Sequence, residues 1–291
     1  MPRFIGGISG VSTSTNVNDG GSGVFGVEQS TYFKREGNWP VGDFASGGTR
    51  NTPGDGYAYH TFQVSDNSQP TGVFNMPAAV GASTIEILLV GGGGGGGSYP
   101  SGNSGGAGGA GVVVYYPAFS LTKDTNYTIS VGSGGAGSDV NGAGTIGNDT
   151  TFTSPAPSVA TAKGGGQGGS YTAGGNAGGS AGGGGGAGPN AAGTANQPSQ
   201  THPLGGTYTN YGNNSGANTG GNSGISAGGG GAGGVGEDSP VSGGGEGGDG
   251  QPFPSFPYLK CGIGPLDPPQ NPSPTGDHYG CLLYTSDAAD E

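Results

Sequence analysis

Between residues 56 and 162, short runs rich in β-branched and aromatic residues alternate with clusters of Gly, Pro, Asn and Asp. The runs cover residues 58–64, 83–90, 111–116, 125–131, 149–153 and 158–162. Each has strand length and is bounded by turn formers, so each is expected to be a strand. The run 125–131 alternates most cleanly, putting Tyr127, Ile129 and Val131 on one face. Six short strands at this spacing predict an all-β fold with few or no helices, built on a small antiparallel β-sandwich or jelly-roll-like core. Upstream, residues 27–36 carry a pattern that predicts one short helix, with Gly37 to stop it and Pro40 just beyond. Trp39 follows that helix and is expected to pack locally.

The pattern then changes. Residues 164–250 hold 36 glycines in 87 positions, and residues 164–236 include no Asp, Glu, Lys or Arg. Bulky apolar side chains in that uncharged part come down to Tyr171, Leu204, Tyr208, Tyr211, Ile225 and Val235. Such an inventory cannot fill a hydrophobic core, so one reading is a flexible linker. Ordering the glycines costs each about 0.5–1 kcal/mol more than alanine. The other reading is an ordered bundle of glycine chains in the polyproline II conformation. Such chains have three residues per turn and no internal hydrogen bonds, so every backbone group is offered to a neighbour. Runs 91–97, 182–186, 228–231 and 243–245 are candidates to lie side by side.

These transitions divide the chain into five zones: a polar N-terminal attachment segment with its short helix (1–55), the strand-rich zone (56–163), the glycine-rich zone (164–250), a proline-rich connector (251–280) and a terminal stretch (281–291). Composition narrows the function classes. Glycine accounts for 75 of 291 residues, apolar residues for 30% and charged residues for 9%. No bulky apolar run approaches the roughly 20 residues of a membrane-spanning helix, so no membrane insertion is expected. The glycines follow no strict three-residue period, which excludes collagen. With seven basic residues against a formal charge of −12, no cationic patch for nucleic acid can be assembled. The first residues have no apolar stretch of signal-peptide type, so synthesis in a cytoplasm without secretion is expected.

No catalytic or cofactor chemistry is legible, and a non-enzymatic protein without metal or cofactor is expected. At this glycine content a G-x-G-x-x-G match arises roughly five times by chance and carries no Rossmann meaning. No Gly-Lys-Ser/Thr follows a glycine tract, which excludes a P-loop. His60, His202 and His278 stand apart from one another and from any cysteine pair, unlike a zinc site. Glu237, Asp238, Glu246 and Asp249 form a local acidic group. It reads as a solvated edge, with one incomplete calcium-repeat-like string as the alternative.

A family resemblance rests on an ordered series of strings. Residues 83–97 read as a strand running into seven glycines. They are followed by Val112-Val-Val-Tyr115, Tyr127-Thr-Ile-Ser-Val-Gly132, Gly147-Asn-Asp-Thr-Thr-Phe152 and Thr161-Ala-Lys-Gly-Gly-Gly166. The series resembles, in the same order, the glycine-rich domains of phage tail fibres and adhesins, and residues 23–28 and 37–40 resemble the opening module of marine phage tail proteins. The resemblance implies a polyglycine II helix bundle over the glycine tracts. It also implies a structural and host-receptor-recognition role in a virion tail. The partners would be a cell-surface saccharide or outer-membrane protein, other tail proteins and further copies of the chain. Receptor contacts would fall to the loop region 194–225, where His202, Tyr208, Asn210, Tyr211, Asn213 and Asn214 are the candidates. Tyrosine with small polar residues is also the composition of antibody paratopes. The alternatives are an ice-binding protein or a cellular glycine-rich envelope or structural protein. Residues 281–291 resemble a translated sequencing adapter. On that reading the natural chain departs near Gly280, and Cys261 loses Cys281 as a companion.

Overall fold

The computed structural model describes residues 45–51, 58–64, 71–77, 84–99, 104–139, 142–153, 159–187, 189–197, 207–220, 224–239, 243–253 and 278–279. Eleven strands lie among them: β1 (Thr49–Asn51), β2 (Tyr59–Thr61), β3 (Thr71–Met76), β4 (Thr84–Val90), β5 (Val113–Ser120), β6 (Thr125–Ser130), β7 (Thr150–Thr153), β8 (Val159–Ala162), β9 (Thr209–Tyr211), β10 (Gln251–Pro252) and β11 (His278–Tyr279). The helix expected over residues 27–36, with Trp39, lies outside the described residues, as do His202 and residues 281–291.

Two antiparallel sheets carry the core. One has the order β3-β6-β7-β8, the other β4-β5-β9, and β1-β2 and β10-β11 form separate pairs. Along β6 the alternation does its work: Tyr127 and Ile129 are buried while Asn126 and Thr128 are exposed. A single apolar cluster joins both sheets. Phe74, Met76, Tyr127, Ile129, Phe152, Ala160 and Ala162 come from the first, and Ile87, Leu89, Val114, Tyr116 and Phe119 from the second. Phe152 stacks on Tyr127 at 5.1 Å and meets Phe119 edge-on at 5.4 Å, so one ring ties the sheets together. Strand β3 was not expected from sequence, because Gly72 and Asn75 break its apolar pattern. A Cβ at Gly72 would run into the Phe62 ring, which would have to shift to make room.

The strands pass into glycine-rich chain at one end. β4 and β8 run out into residues 91–99 and 163–170, and β6 into 131–139. β5 and β7 are entered from 104–112 and 142–149, and β9 leaves into 212–218. Inside the sandwich, interleaved side chains hold facing sheets roughly 10 Å apart. Beyond Val90 those side chains stop, and the two layers close to hydrogen-bonding distance. Gly91, Gly94 and Gly97 donate to the carbonyls of Val112, Gly109 and Gly106. Gly92, Gly95 and Ser98 donate to those of Asn148, Thr145 and Gly142, all six bonds at 2.8–3.0 Å. The carbonyls of Gly92 and Gly95 accept from Gly165 and Gly168, and those of Gly93 and Gly96 from Gly135 and Ser138. One segment is thus tied to four others, with a partner change at each residue and a repeat every third.

The same bonding extends outward through residues 178–186, 212–218 and 226–237. Examples are Ser180 to Ala110, Ala110 to Gly230, Gly230 to Ala181, and Gly216 to Gly228. Cross-bonding satisfies the buried amides, as burial demands. Apart from Val112 next to β5, the buried apolar groups among these described segments are isolated methyls, Ala107, Ala110, Ala181, Ala227 and Ala232.

The expected polyglycine II helix bundle is corrected by this structure. No described residue lies in a helix, so the all-β reading stands and the helix bundle does not. The tracts run instead as non-helical segments beside the strands, their amides donating to carbonyls of neighbouring segments.

Candidate functional site

Polar side chains are concentrated where strand gives way to glycine. The Thr150 hydroxyl, on a residue 4% exposed, donates to the Val90 carbonyl at 2.6 Å and accepts from the Gly132 amide at 2.9 Å. Three strand ends are thereby fixed by one oxygen. Next to it, Asp149 accepts from the Gly164 amide through Oδ1 at 2.9 Å and from Lys163 Nζ through Oδ2 at 2.8 Å. This pair is about one-third exposed on each side, so its ionic part contributes little. The amide bond to Gly164 is the part that fixes geometry.

Five of the six residues expected to contact a receptor are described, and they are used in different ways. Tyr208 is half-buried, packed on the core and 5.6 Å from the Tyr116 ring. Tyr211 is half-buried beside Phe253, edge-on at 5.3 Å. Asn213 donates through Nδ2 to the carbonyls of Gly231 and Ala232, both at 2.9 Å. Asn214 accepts from the Ala195 amide at 2.8 Å while remaining exposed. Asn210 is exposed on β9, opposite Val114. The structure therefore gathers Tyr208, Asn210 and Tyr211 on or beside β9 and places Asn213 and Asn214 in the segment that follows it. Of this group, Asn210 and Asn214 face solvent.

Sequence reasoning missed a second aromatic site. Tyr99 and Tyr171 stack with centroids 4.3 Å apart and planes 22° from parallel. Tyr99 ends the segment that leaves β4, and Tyr171 ends the one that leaves β8, so the pair lies at the end remote from the sheets. The available signal was that each tyrosine follows a glycine tract by a single serine, Gly97-Ser98-Tyr99 and Gly169-Ser170-Tyr171.

Burial pushes the Tyr116 phenol up to about 12, with the neighbouring Tyr208 adding to the effect. His60 Nδ1 lies 2.8 Å from the Gly47 carbonyl, and its ring meets Phe74 edge-on. The acidic group is exposed at all four positions. Asp238 accepts from the Ala217 amide at 2.7 Å. No cluster of His, Cys, Asp or Glu able to hold a metal ion occurs among the described residues. A shallow open depression lined by Gly48, Thr61, Phe62, Gly72 and Val131 lies beside β2 and β3. No helix among the described residues is long and apolar enough to cross a membrane.

Comparison with known proteins gives one match. The profile of the glycine-rich domain matches residues 67–254, which spans both sheets and the cross-bonded segments. No curated protein and no solved structure matches.

Proposed function

The chain belongs to the glycine-rich domain family, and on that premise we propose that it is a non-enzymatic virion protein of a phage tail that displays a host-recognition surface. The observation that carries this reading is the continuation of a conventional two-sheet core into segments stiffened chiefly by backbone bonds to one another. A platform of this kind needs few large side chains internally and leaves those at its periphery for contact. Tyr, Asn and Ser around β9 and beyond supply rigid amphipathic surface and adaptable hydrogen bonds. The partners are a saccharide or outer-membrane protein of the host surface, neighbouring tail proteins, and further copies of the chain.

Antibody raised against the purified protein, used in electron microscopy of a virus-particle fraction, tests the setting. Label at particle tails is expected, whereas label confined to cell envelopes contradicts the proposal. At the level of residues, Asn210→Ala is the informative variant because its side chain is exposed. Severalfold weaker adsorption with an unchanged melting temperature is expected. Unaltered adsorption removes β9 from the contact surface.

A further inference from the structure

We propose that the stacked pair Tyr99–Tyr171 is a platform for a neutral saccharide, an inference that rests on the recognition role proposed above. The tyrosines of the sandwich are committed to it: Tyr116 and Tyr127 are buried there, and the Tyr115 hydroxyl donates to Glu86 at 2.8 Å. Tyr99 and Tyr171 belong to no apolar cluster described, remain partly exposed, and have no hydrogen bond to either hydroxyl among the described residues. In segments made mainly of Gly, Ala and Ser, the two rings pack on each other rather than in an apolar cluster among the described residues.

Their placement is rigid. Gly97 donates to Gly106 at 2.9 Å, Gly106 donates to Gly169 at 2.8 Å, and Ala187 donates to the Tyr171 carbonyl at 2.7 Å. The backbones carrying both rings are thereby fixed before any ligand arrives, which lowers the ordering cost of binding. Beside Tyr99, the Ser98 and Ser138 hydroxyls lie 3.4 Å apart.

The charge pattern selects the ligand. Residues 91–99, 104–122 and 164–187 contain no Asp, Glu, Lys or Arg. Lys163 is held at the strand end by Asp149, and the described carboxylate next in sequence to this end is Asp139, exposed beside Ser138. An anionic sugar finds no cation here among the described residues. A neutral sugar finds an aromatic face for its C–H surface and hydroxyls or a carboxylate for its own hydroxyls.

The test uses the whole chain with saturation-transfer NMR against maltotriose, galactobiose and triacetylchitotriose, with sialyllactose as the anionic probe. Transfer to C–H protons of at least one neutral probe is expected, with a dissociation constant about 2–10-fold weaker in Tyr99→Ala and in Tyr171→Ala. Tyr99→Phe, which keeps the ring, is expected to retain most of the binding. Neutral-sugar binding unaffected by either alanine variant overturns the platform. So does preference for the sialylated probe, or transfer from none of the three neutral probes. In each of those cases the recognition reading itself survives if the protein still adsorbs to cells. Unchanged melting of both variants confirms that a loss reflects the surface, since neither ring belongs to the sandwich core.

Discussion

The carboxamide of Gln197 pairs with the backbone of Thr161 as a strand would: Nε2 donates to the Thr161 carbonyl at 2.9 Å, while Oε1 accepts from the neighbouring Lys163 amide at 3.0 Å. β8 is the outermost strand of its sheet. One side chain therefore covers part of this strand edge by bonding its backbone. Gln197→Ala is predicted to cost about 1–3 kcal/mol, since two hydrogen bonds to the strand backbone are lost. Urea unfolding measures this, and light scattering should show more self-association. Gln197→Glu replaces the donor with a second acceptor and should lie close to the alanine variant.

The cross-bonded segments make a position-specific prediction. A Cβ on Gly95 would meet the Ala136 backbone well inside 3.0 Å, whereas on Gly93 its nearest neighbour is the Gly109 carbonyl oxygen at 3.8 Å. Gly95→Ala is therefore expected to destabilise by about 1–3 kcal/mol or more. Gly93→Ala should be neutral, or stabilising by about 0.4–1 kcal/mol through its effect on the unfolded chain. Thermal melts of the two variants give the comparison. Equal effects would mean that these segments do not lie against one another.

Tyr116 links stability to alkaline pH. Its folded-state phenol is raised to about 12 from an ordinary 10.0, so the folded chain holds that proton more tightly than the unfolded one. The contribution is fully present below about pH 10 and is lost as pH rises towards 12, at most roughly 2–3 kcal/mol. Unfolding free energy measured from pH 8 to 11.5 should fall more steeply for the natural chain than for Tyr116→Phe. Parallel curves would contradict the burial of that hydroxyl.

What was legible in the sequence follows the distribution of side chains. Strands β4 to β8 were marked by β-branched runs, and their observed bounds fall within a few residues of those expected, because alternation reports which face is buried. β9 was hidden, since three residues within a glycine-rich zone carry little periodicity. Only its pairing with Val113, Val114 and Tyr115 of β5 defines it. The cross-bonded segments lacked any local signal of partner or register. A bond such as Ala110 to Gly230 joins backbones distant in sequence, and glycine neighbours do not distinguish one register from another. The helix bundle expected for them failed for that reason: composition indicated that the backbone must find partners, and the all-β structure shows where they are. The candidate contacts fared unevenly because Tyr and Asn serve packing as readily as recognition. Asn213 illustrates this, with its amide spent on Gly231 and Ala232.

Residue-resolved amide hydrogen exchange over residues 91–97 tests the central claim most directly. The amides of Gly91, Gly92, Gly94, Gly95 and Gly97 donate to neighbouring segments, while those of Gly93 and Gly96 have no acceptor among the described residues. Strong protection at the five positions, interrupted at the two, is the predicted pattern. Uniformly fast exchange at the rate of an unstructured peptide would contradict a stiff platform held by backbone bonds and leave the two-sheet core as the ordered part.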